Sequence, residues 1–186
     1  VSNFSVFNTV LPATGTESVA SLYNYGTPPD ISSYSGLQGW WKLDASATFD
    51  GSNWSIPDDS SNSNTGTSSG MTASNLVQSN LNILSPYSRY ALNFDSASSD
   101  YIETSGPNFT TAFSFSCWFK TSNTSANQTS WSIADGTTAK SFLRVVGTNY
   151  RLKIFDSASA SINGETTTSI PTDGNWHHAC FTADGT

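Results

Sequence analysis

Short apolar stretches of strand length, separated by polar turn residues, recur along the chain. In residues 113–119 the alternation is clearest, because Phe113, Phe115 and Phe119 fall on one face of a strand. The Gly-Thr-Asn sequence at 147–149, between two apolar stretches, predicts a hairpin. The pattern predicts an all-β fold of two packed antiparallel sheets, as in a sandwich or jelly roll. The predicted strands are residues 3–11, 37–43, 90–94, 113–119, 131–134, 142–146, 150–155 and 176–182.

The N-terminal segment has a different pattern. Residues 3–11 carry apolar side chains on both faces of a predicted strand, so this strand must pair with a sheet. Residues 14–17 are predicted to supply the N-cap and an acidic first turn of one short helix between Glu17 and Asn24, where apolar residues follow helical spacing. Residues 27–36 contain Pro28 and Pro29, which neither a helix nor a central strand accommodates, and the range is predicted to be a linker.

Composition excludes several classes of partner. Charged residues make up 11% of the chain, which has a net charge of −7 and only seven lysines and arginines. Without a basic cluster, a nucleic-acid partner is excluded. No apolar run approaches the ~20 residues of a membrane helix, so no membrane insertion is expected. Abundant Ser, Thr and Asn suit a surface that faces the outside of a cell or particle.

Five sequence segments occur in an order typical of one family. The chain resembles the laminin-G-like, concanavalin A-like jelly-roll domains, a fold related to the pentraxins. Linked repeats of this style are similar to those of marine bacteriophage structural proteins and of secreted bacterial surface proteins. The segments are LQGWWKL at 37–43, DDSSNSNTGT at 58–67, YALNFD at 90–95 with DYI at 100–102, FSFSCWFK at 113–120, and NWHHACFT at 175–182 with DG at 184–185.

The resemblance also implies a division of the chain. Its opening strand and helix resemble the closing segment of the same domain type. Residues 1–26 are therefore predicted to be the closing strand and helix of a preceding repeat, and 27–36 a linker. Residues 37–186 are predicted to form a laminin-G-like jelly roll that is incomplete at its C-terminal end.

The function implied by the resemblance is structural. It is a non-enzymatic virion surface module in a bacteriophage fibre, spike or capsid-decorating protein, acting as a spacer and host-surface adhesin. The alternative is a secreted bacterial or algal carbohydrate-binding or adhesion module. The expected partners are other virion or surface-protein subunits and a host-surface glycan.

Catalytic constellations are not evident in the sequence. A glycosidase needs two carboxylates flanking the scissile bond. The three glutamates, Glu17, Glu103 and Glu165, are well separated. The two histidines, His177 and His178, form one doublet, and no G-x-S-x-G motif accompanies them. The chain is therefore predicted not to be an enzyme, and no cofactor is required.

A polar loop offers the one predicted metal site. Calcium prefers oxygen ligands, and residues 58–67 supply several within a short span. The alternative is a loop whose Asp and Asn side chains cap their own turns. The predicted calcium ligands are Asp59, Asn62, Asn64 and Thr67.

Aromatic residues beside polar stretches are candidates for carbohydrate binding, because their faces stack on sugar rings. Most tryptophans in sandwiches instead lie in the core, which is the prediction for Trp40, Trp118 and Trp176. The predicted carbohydrate-binding residues are Trp54, Tyr87 and Trp131.

Two cysteines, Cys117 and Cys180, lie far apart in sequence and form no CxxC pair. The pentraxin-like pattern places one cysteine on each of the corresponding strands and joins them. The resemblance thus implies that the two strands are neighbours and that the cysteines form a disulfide. The alternative is two buried thiols that act as small apolar groups.

Overall fold

The computed structural model describes residues 1–81, 86–87, 89–106, 112–122, 128–135, 138–146, 149–155, 160–165 and 172–184. For the strands between residues 128 and 165, the description concerns backbone pairing. Trp131, one of the predicted carbohydrate-binding residues, therefore has its side chain outside the described part of the protein.

The described residues form fourteen strands, one α-helix and two short 3-10 turns, at Asn24–Gly26 and Ala73–Asn75. The predicted all-β class with one short helix is confirmed. The elements are β1 (Ser2–Phe7), α1 (Val19–Tyr23), β2 (Leu37–Trp41), β3 (Thr48–Phe49), β4 (Trp54–Ile56), β5 (Gly66–Ser69), β6 (Leu76–Gln78), β7 (Tyr90–Leu92), β8 (Tyr101–Glu103), β9 (Phe113–Lys120), β10 (Gln128–Asp135), β11 (Thr138–Val146), β12 (Asn149–Phe155), β13 (Ala160–Glu165) and β14 (Trp176–Ala183).

The chain divides into two compact units. The first comprises Val1–Phe119 and Trp176–Thr186, and the second is Lys120–Asn175. In the second unit β10, β11, β12 and β13 form an antiparallel sheet in sequence order. Val146 pairs with Asn149 across β11 and β12, which confirms the predicted hairpin. The first unit contains three sheets with the orders β14-β9-β1-β2, β3-β4-β5-β8 and β6-β7.

Strand β1 lies inside the sheet β14-β9-β1-β2. It pairs antiparallel with β2 on one side and with β9 on the other. Val6 and Phe7 point to opposite faces and both are fully buried, as a strand with apolar residues on both faces requires. An inner position, rather than an edge, therefore accommodates this strand. The assignment of 1–26 to a preceding repeat and of 27–36 to a linker stays a prediction, although both ranges lie in the same unit as β2.

Two sheets of the first unit pack against each other through Trp41. The Trp41 ring covers Gly39, where a Cβ atom would lie 2.2 Å from the ring. The Trp41 side chain also reaches Gly66 of β5, and its indole nitrogen donates to the Asn64 carbonyl at 2.8 Å. This face-to-face packing of antiparallel sheets confirms the predicted sandwich.

Helix α1 covers the opposite face of the sheet β14-β9-β1-β2. Its N-cap is Ser18, one residue after the segment 14–17 that was predicted to supply it. Ser18 and Ser21 form a reciprocal capping box, since each side chain accepts a hydrogen bond from the other's backbone amide. Leu22 is buried, so the helix is anchored by its apolar side. The cluster beneath it contains Phe7, Leu11, Leu22, Ile31, Leu37 and Trp40.

Candidate functional site

An open cleft lies between helix α1 and the first residues of β14. Its volume is about 670 Å³, which is within the range of small-ligand sites. Apolar helix residues form one wall, and β9 and β14 contribute aromatic side chains. The side chains that define it are Tyr23, Leu81, Trp118, Trp176, His177 and His178.

Three rings of the cleft pack together. Tyr23 stacks on Trp118 with ring centroids 5.7 Å apart, and His178 lies 5.0 Å from the Trp118 centroid. Trp118 is 4% exposed and forms a buried base, whereas Tyr23 is 47% exposed. Tyr23 therefore presents aromatic surface that solvent or a ligand can reach.

Polar groups flank these rings. The indole nitrogen of Trp176 donates to the Asn80 Oδ1 atom at 3.0 Å, which orients the half-buried ring. The Nε2 atom of His178 lies 2.7 Å from the buried Ser116 hydroxyl. Burial lowers the pKa of His178 to about 4, so its imidazole is neutral at physiological pH. The cleft thus combines aromatic surface with uncharged hydrogen-bonding groups.

The end of helix α1 carries backbone strain next to the cleft. Asn24, Tyr25 and Gly26 have φ values of +39°, +51° and +84°. The left-handed region suits glycine but is uncommon for tyrosine. Tyr25 is 95% exposed, and such strain concentrates at functional sites. The turn therefore displays a second tyrosine adjacent to Gly26, which lines the cleft.

A comparison with known protein families finds a match for part of the chain. A laminin G family model, described as the concanavalin A-like lectin/glucanases superfamily, matches residues 95–186. Residues 95–186 belong to this superfamily. The resemblance inferred from the sequence segments is thereby confirmed over this range, called the laminin G-like segment below. No curated protein and no solved structure matches the chain.

The laminin G-like segment supplies only part of the cleft. Trp118 and the residues of β14 lie within it, whereas Tyr23 and Leu81 precede it. The wall formed by helix α1 is therefore a feature of this chain outside the matched range. Within the described residues, no helix has the length and apolar character needed to cross a membrane.

Two of the predicted carbohydrate-binding residues have other roles. Trp54 is 6% exposed and its indole nitrogen donates to the Thr72 carbonyl, so its ring faces are not available to a sugar. Tyr87 packs on Trp40, with centroids 5.5 Å apart. The Lys42 ammonium lies 5.7 Å from the centre of the Tyr87 ring. The prediction was wrong for Trp54, because a polar neighbourhood in sequence does not show how far a side chain is exposed.

The predicted calcium loop caps the edge of β2. The Asp58 carboxylate accepts hydrogen bonds from the amides of Trp40, Ser60 and Asn64 at 2.8–2.9 Å. Asp59 donates its own amide to the Trp40 carbonyl at 2.8 Å. These bonds satisfy edge groups of β2 that a further strand would otherwise bind. The loop therefore has a structural role that does not need a metal ion.

Three of the four residues predicted to bind calcium contact other groups of the protein through their side chains. Asp59 pairs with Lys42 at 3.0 Å, and the Nδ2 atoms of Asn62 and Asn64 each donate to the Gln38 carbonyl at 3.1 Å. Thr67 lies in β5, opposite Ser55 and Glu103. In the described part of the chain, no three His, Cys, Asp or Glu side chains form a group that could hold a metal ion. Calcium binding by these oxygens stays a prediction.

The predicted adjacency of the two cysteine-bearing strands is confirmed, but the predicted disulfide is not formed. Strands β9 and β14 are neighbours, as predicted. Cys117 shares the face of Phe115, which stacks on Phe181 at 5.3 Å. Cys180 packs instead against the cluster beneath helix α1, on the face of His178. Both cysteines are free, and side chains on opposite faces cannot be bridged without moving the backbone.

Sequence reasoning missed most of the cleft. Trp118 was expected in the core and is buried, but Trp176 is only half-buried, and Tyr23 was seen only as a helix residue. One signal was available: Trp176 precedes two histidines on an alternating strand, so polar side chains occupy both faces. The partner of this strand end, Asn80, is distant in sequence, and no local pattern reveals such a contact.

Proposed function

We propose that this chain is a non-enzymatic carbohydrate-binding module that holds a glycan in the cleft beside helix α1. The observation that carries the proposal is the exposed ring of Tyr23 and the half-buried ring of Trp176 in one open cleft. Sugar rings have apolar C–H faces that pack on aromatic rings, while their hydroxyls bond to amide and imidazole groups. Asn80 and the histidine doublet lie beside the rings to make such bonds.

The arrangement of acidic groups supports a binding role rather than hydrolysis. Glu17 accepts a hydrogen bond from the Ser35 amide, and Glu103 lies on β8 opposite Thr67. Glu165 lies in β13 of the second unit. Carboxylates are absent from the described lining of the cleft, although a glycosidase requires two around its substrate. The proposed module therefore retains its ligand unchanged.

Binding to a panel of immobilised glycans, followed by calorimetry, tests the proposal. Trp176→Ala and Tyr23→Ala should each weaken binding about tenfold or more, because each removes a stacking surface. Tyr101→Ala is the matched control, since Tyr101 is 51% exposed on β8 and does not line the cleft. Equal melting temperatures would show that the variants are folded. Unchanged affinity in both cleft variants would reject the cleft as the binding site.

The proposed setting is the surface of a virion or a cell. The scarcity of charge and the abundance of hydroxyl groups support an extracellular location, and the resemblance to bacteriophage repeats supports a virion. Other subunits of the same surface structure would then be partners, with the module as a spacer and adhesin. Copurification of the protein with intact particles tests the virion setting, and its recovery only from cell surfaces or medium would support the secreted alternative.

A further inference from the structure

In the described part of the chain, no residue that lines the cleft is charged. We infer that it selects uncharged glycans, built from neutral hexose or pentose units, over glycans that carry carboxylate or sulfate groups. This inference rests on the proposed function and specifies its ligand class. Among the described lining residues none is Lys, Arg, Asp or Glu. A site that recognises an acidic sugar ordinarily supplies a basic partner for each carboxylate, because a desolvated charge without one is costly.

His178 does not supply a cation to the cleft. The His178 ring packs against both Tyr23 and Trp118, with centroid distances of 6.1 Å and 5.0 Å. Its Nε2 atom bonds to Ser116, and burial keeps the imidazole neutral above pH 5 by lowering its pKa to about 4. A neutral imidazole bonds to hydroxyl groups but gives no charge stabilisation to a carboxylate.

The net charge of the whole chain also favours uncharged glycans over anionic ones. Its net charge is −7, so a polyanionic glycan is repelled before it reaches the cleft. Lys42, a cation of the first unit, lies over Trp40 and Tyr87 and pairs with Asp59. None of these residues belongs to the cleft lining. A neutral ring that stacks on Tyr23 and Trp176 avoids both the cost of desolvating a charge and this repulsion.

Matched oligosaccharide pairs test the inference with the full chain. The probes are neutral gluco-, manno-, galacto- and xylo-oligosaccharides, each compared with a counterpart oxidised to uronic acid or sulfated. We expect the neutral member of the bound pair to have an affinity at least about tenfold higher. Its affinity should change less than about twofold between low and high salt, because no ion pair is formed.

A charge introduced into the wall gives a second readout. Ala20 is an exposed lining residue of helix α1, so Ala20→Lys places an ammonium group at the cleft without removing a ring. This variant should bind the acidic counterpart more tightly than the parent does and make that binding salt-sensitive. Ala97→Lys, on an exposed turn away from the lining, is the control for net charge and should leave the preference unchanged.

The outcomes separate the two proposals. Equal or tighter binding of the acidic member, with loss of binding in Trp176→Ala, would overturn the preference for neutral glycans and leave the binding function standing. No binding across the whole panel, or binding that Trp176→Ala and Tyr23→Ala do not weaken, would overturn the proposed function and this inference together. Preference for the neutral member that persists at high salt supports both.

Discussion

At the scale of single residues, His178 makes the stability of the fold depend on pH. Its imidazole is buried between aromatic rings, and its pKa falls from 6.5 to about 4 for that reason. In the unfolded chain the ring takes up a proton below about pH 6.5, whereas the folded protein resists protonation until about pH 4. The stabilisation is therefore complete above pH 6.5 and is lost as the pH falls towards 4.

We expect the free energy of unfolding to decrease by about 2 kcal/mol between pH 7 and pH 4.5 from this residue alone. Urea denaturation at both values measures the change. His178→Gln, whose amide can still bond to Ser116, should reduce the pH dependence by that amount, while His177→Gln should retain it. An unchanged pH dependence in His178→Gln would show that the ring is not protected from protonation in the folded protein.

Single residues also show where sequence reasoning succeeds. The face of Cys117 was predictable, because three phenylalanines alternate around it in one strand. Whether Cys180 lies on the same face as Cys117 was not predictable, because this depends on how β14 aligns with β9. In the structure that alignment stacks Phe181 on Phe115. Trp54 and Trp176 both stand beside polar residues, but only the folded chain buries one and leaves the other half-exposed.

At the scale of secondary-structure elements, the loop at residues 58–64 substitutes for a strand along β2. Asp58→Ala would leave the Trp40, Ser60 and Asn64 amides without their common acceptor. We expect a loss of about 2 kcal/mol or more in the free energy of unfolding, because these bonds are charge-assisted. We also expect concentration-dependent association through the uncapped edge.

Thermal unfolding and light scattering at several concentrations measure both effects. Asp50→Ala is the matched control, because Asp50 caps an exposed turn through Ser52 and Asn53 and protects no strand edge. Repeating the melt with a chelator and then with calcium tests the predicted metal site, since a bound ion raises the melting temperature. A stable, monomeric Asp58→Ala variant would contradict the role of the loop as an edge cap.

Eight of the fourteen strands in the described residues were predicted, and six were not, namely β3, β4, β5, β6, β8 and β13. Alternation located β9, β14 and the hairpin of β11 and β12, because a period of two is a local property. The same reasoning placed helix α1 but sought its N-cap within residues 14–17, since Ser18 is recognisable only once the reciprocal bonds with Ser21 are known. The polar loop at 58–64 was ambiguous, because a ligand set and a hydrogen-bonded edge cap use the same Asp and Asn residues.

At the scale of the whole molecule, β1 holds the first unit together. It is paired on both sides and buried on both faces, with Val6 fully buried. Val6→Asp should therefore unfold the first unit or destabilise it by about 4 kcal/mol or more, because it buries an unpaired charge. Val10→Asp, at a position 39% exposed just after the strand, should change stability by roughly 0.5 kcal/mol or less.

Circular dichroism and hydrogen exchange measure this difference. The amides of β1 should be among the slowest to exchange, since inner strands open only with the unit as a whole. Fast exchange in β1, or a well-folded Val6→Asp variant, would show that the rest of the sheet is stable without it. The sequence predicted that residues 3–11 require a sheet, but only the pairing with β2 and β9 shows which one.

The central place of β1 has a consequence for how the protein is made. Its partner β9 is distant along the chain, as illustrated by the Leu11 amide, which bonds to Ser114, 103 positions later. A ribosome must therefore synthesise more than a hundred further residues before β1 can complete its pairing, and contacts of such long range form slowly. During that interval the nascent chain carries an apolar strand with an open edge, which is a target for chaperones and for aggregation. Coexpression of a chaperone that binds exposed apolar segments should therefore increase recovery of the folded protein.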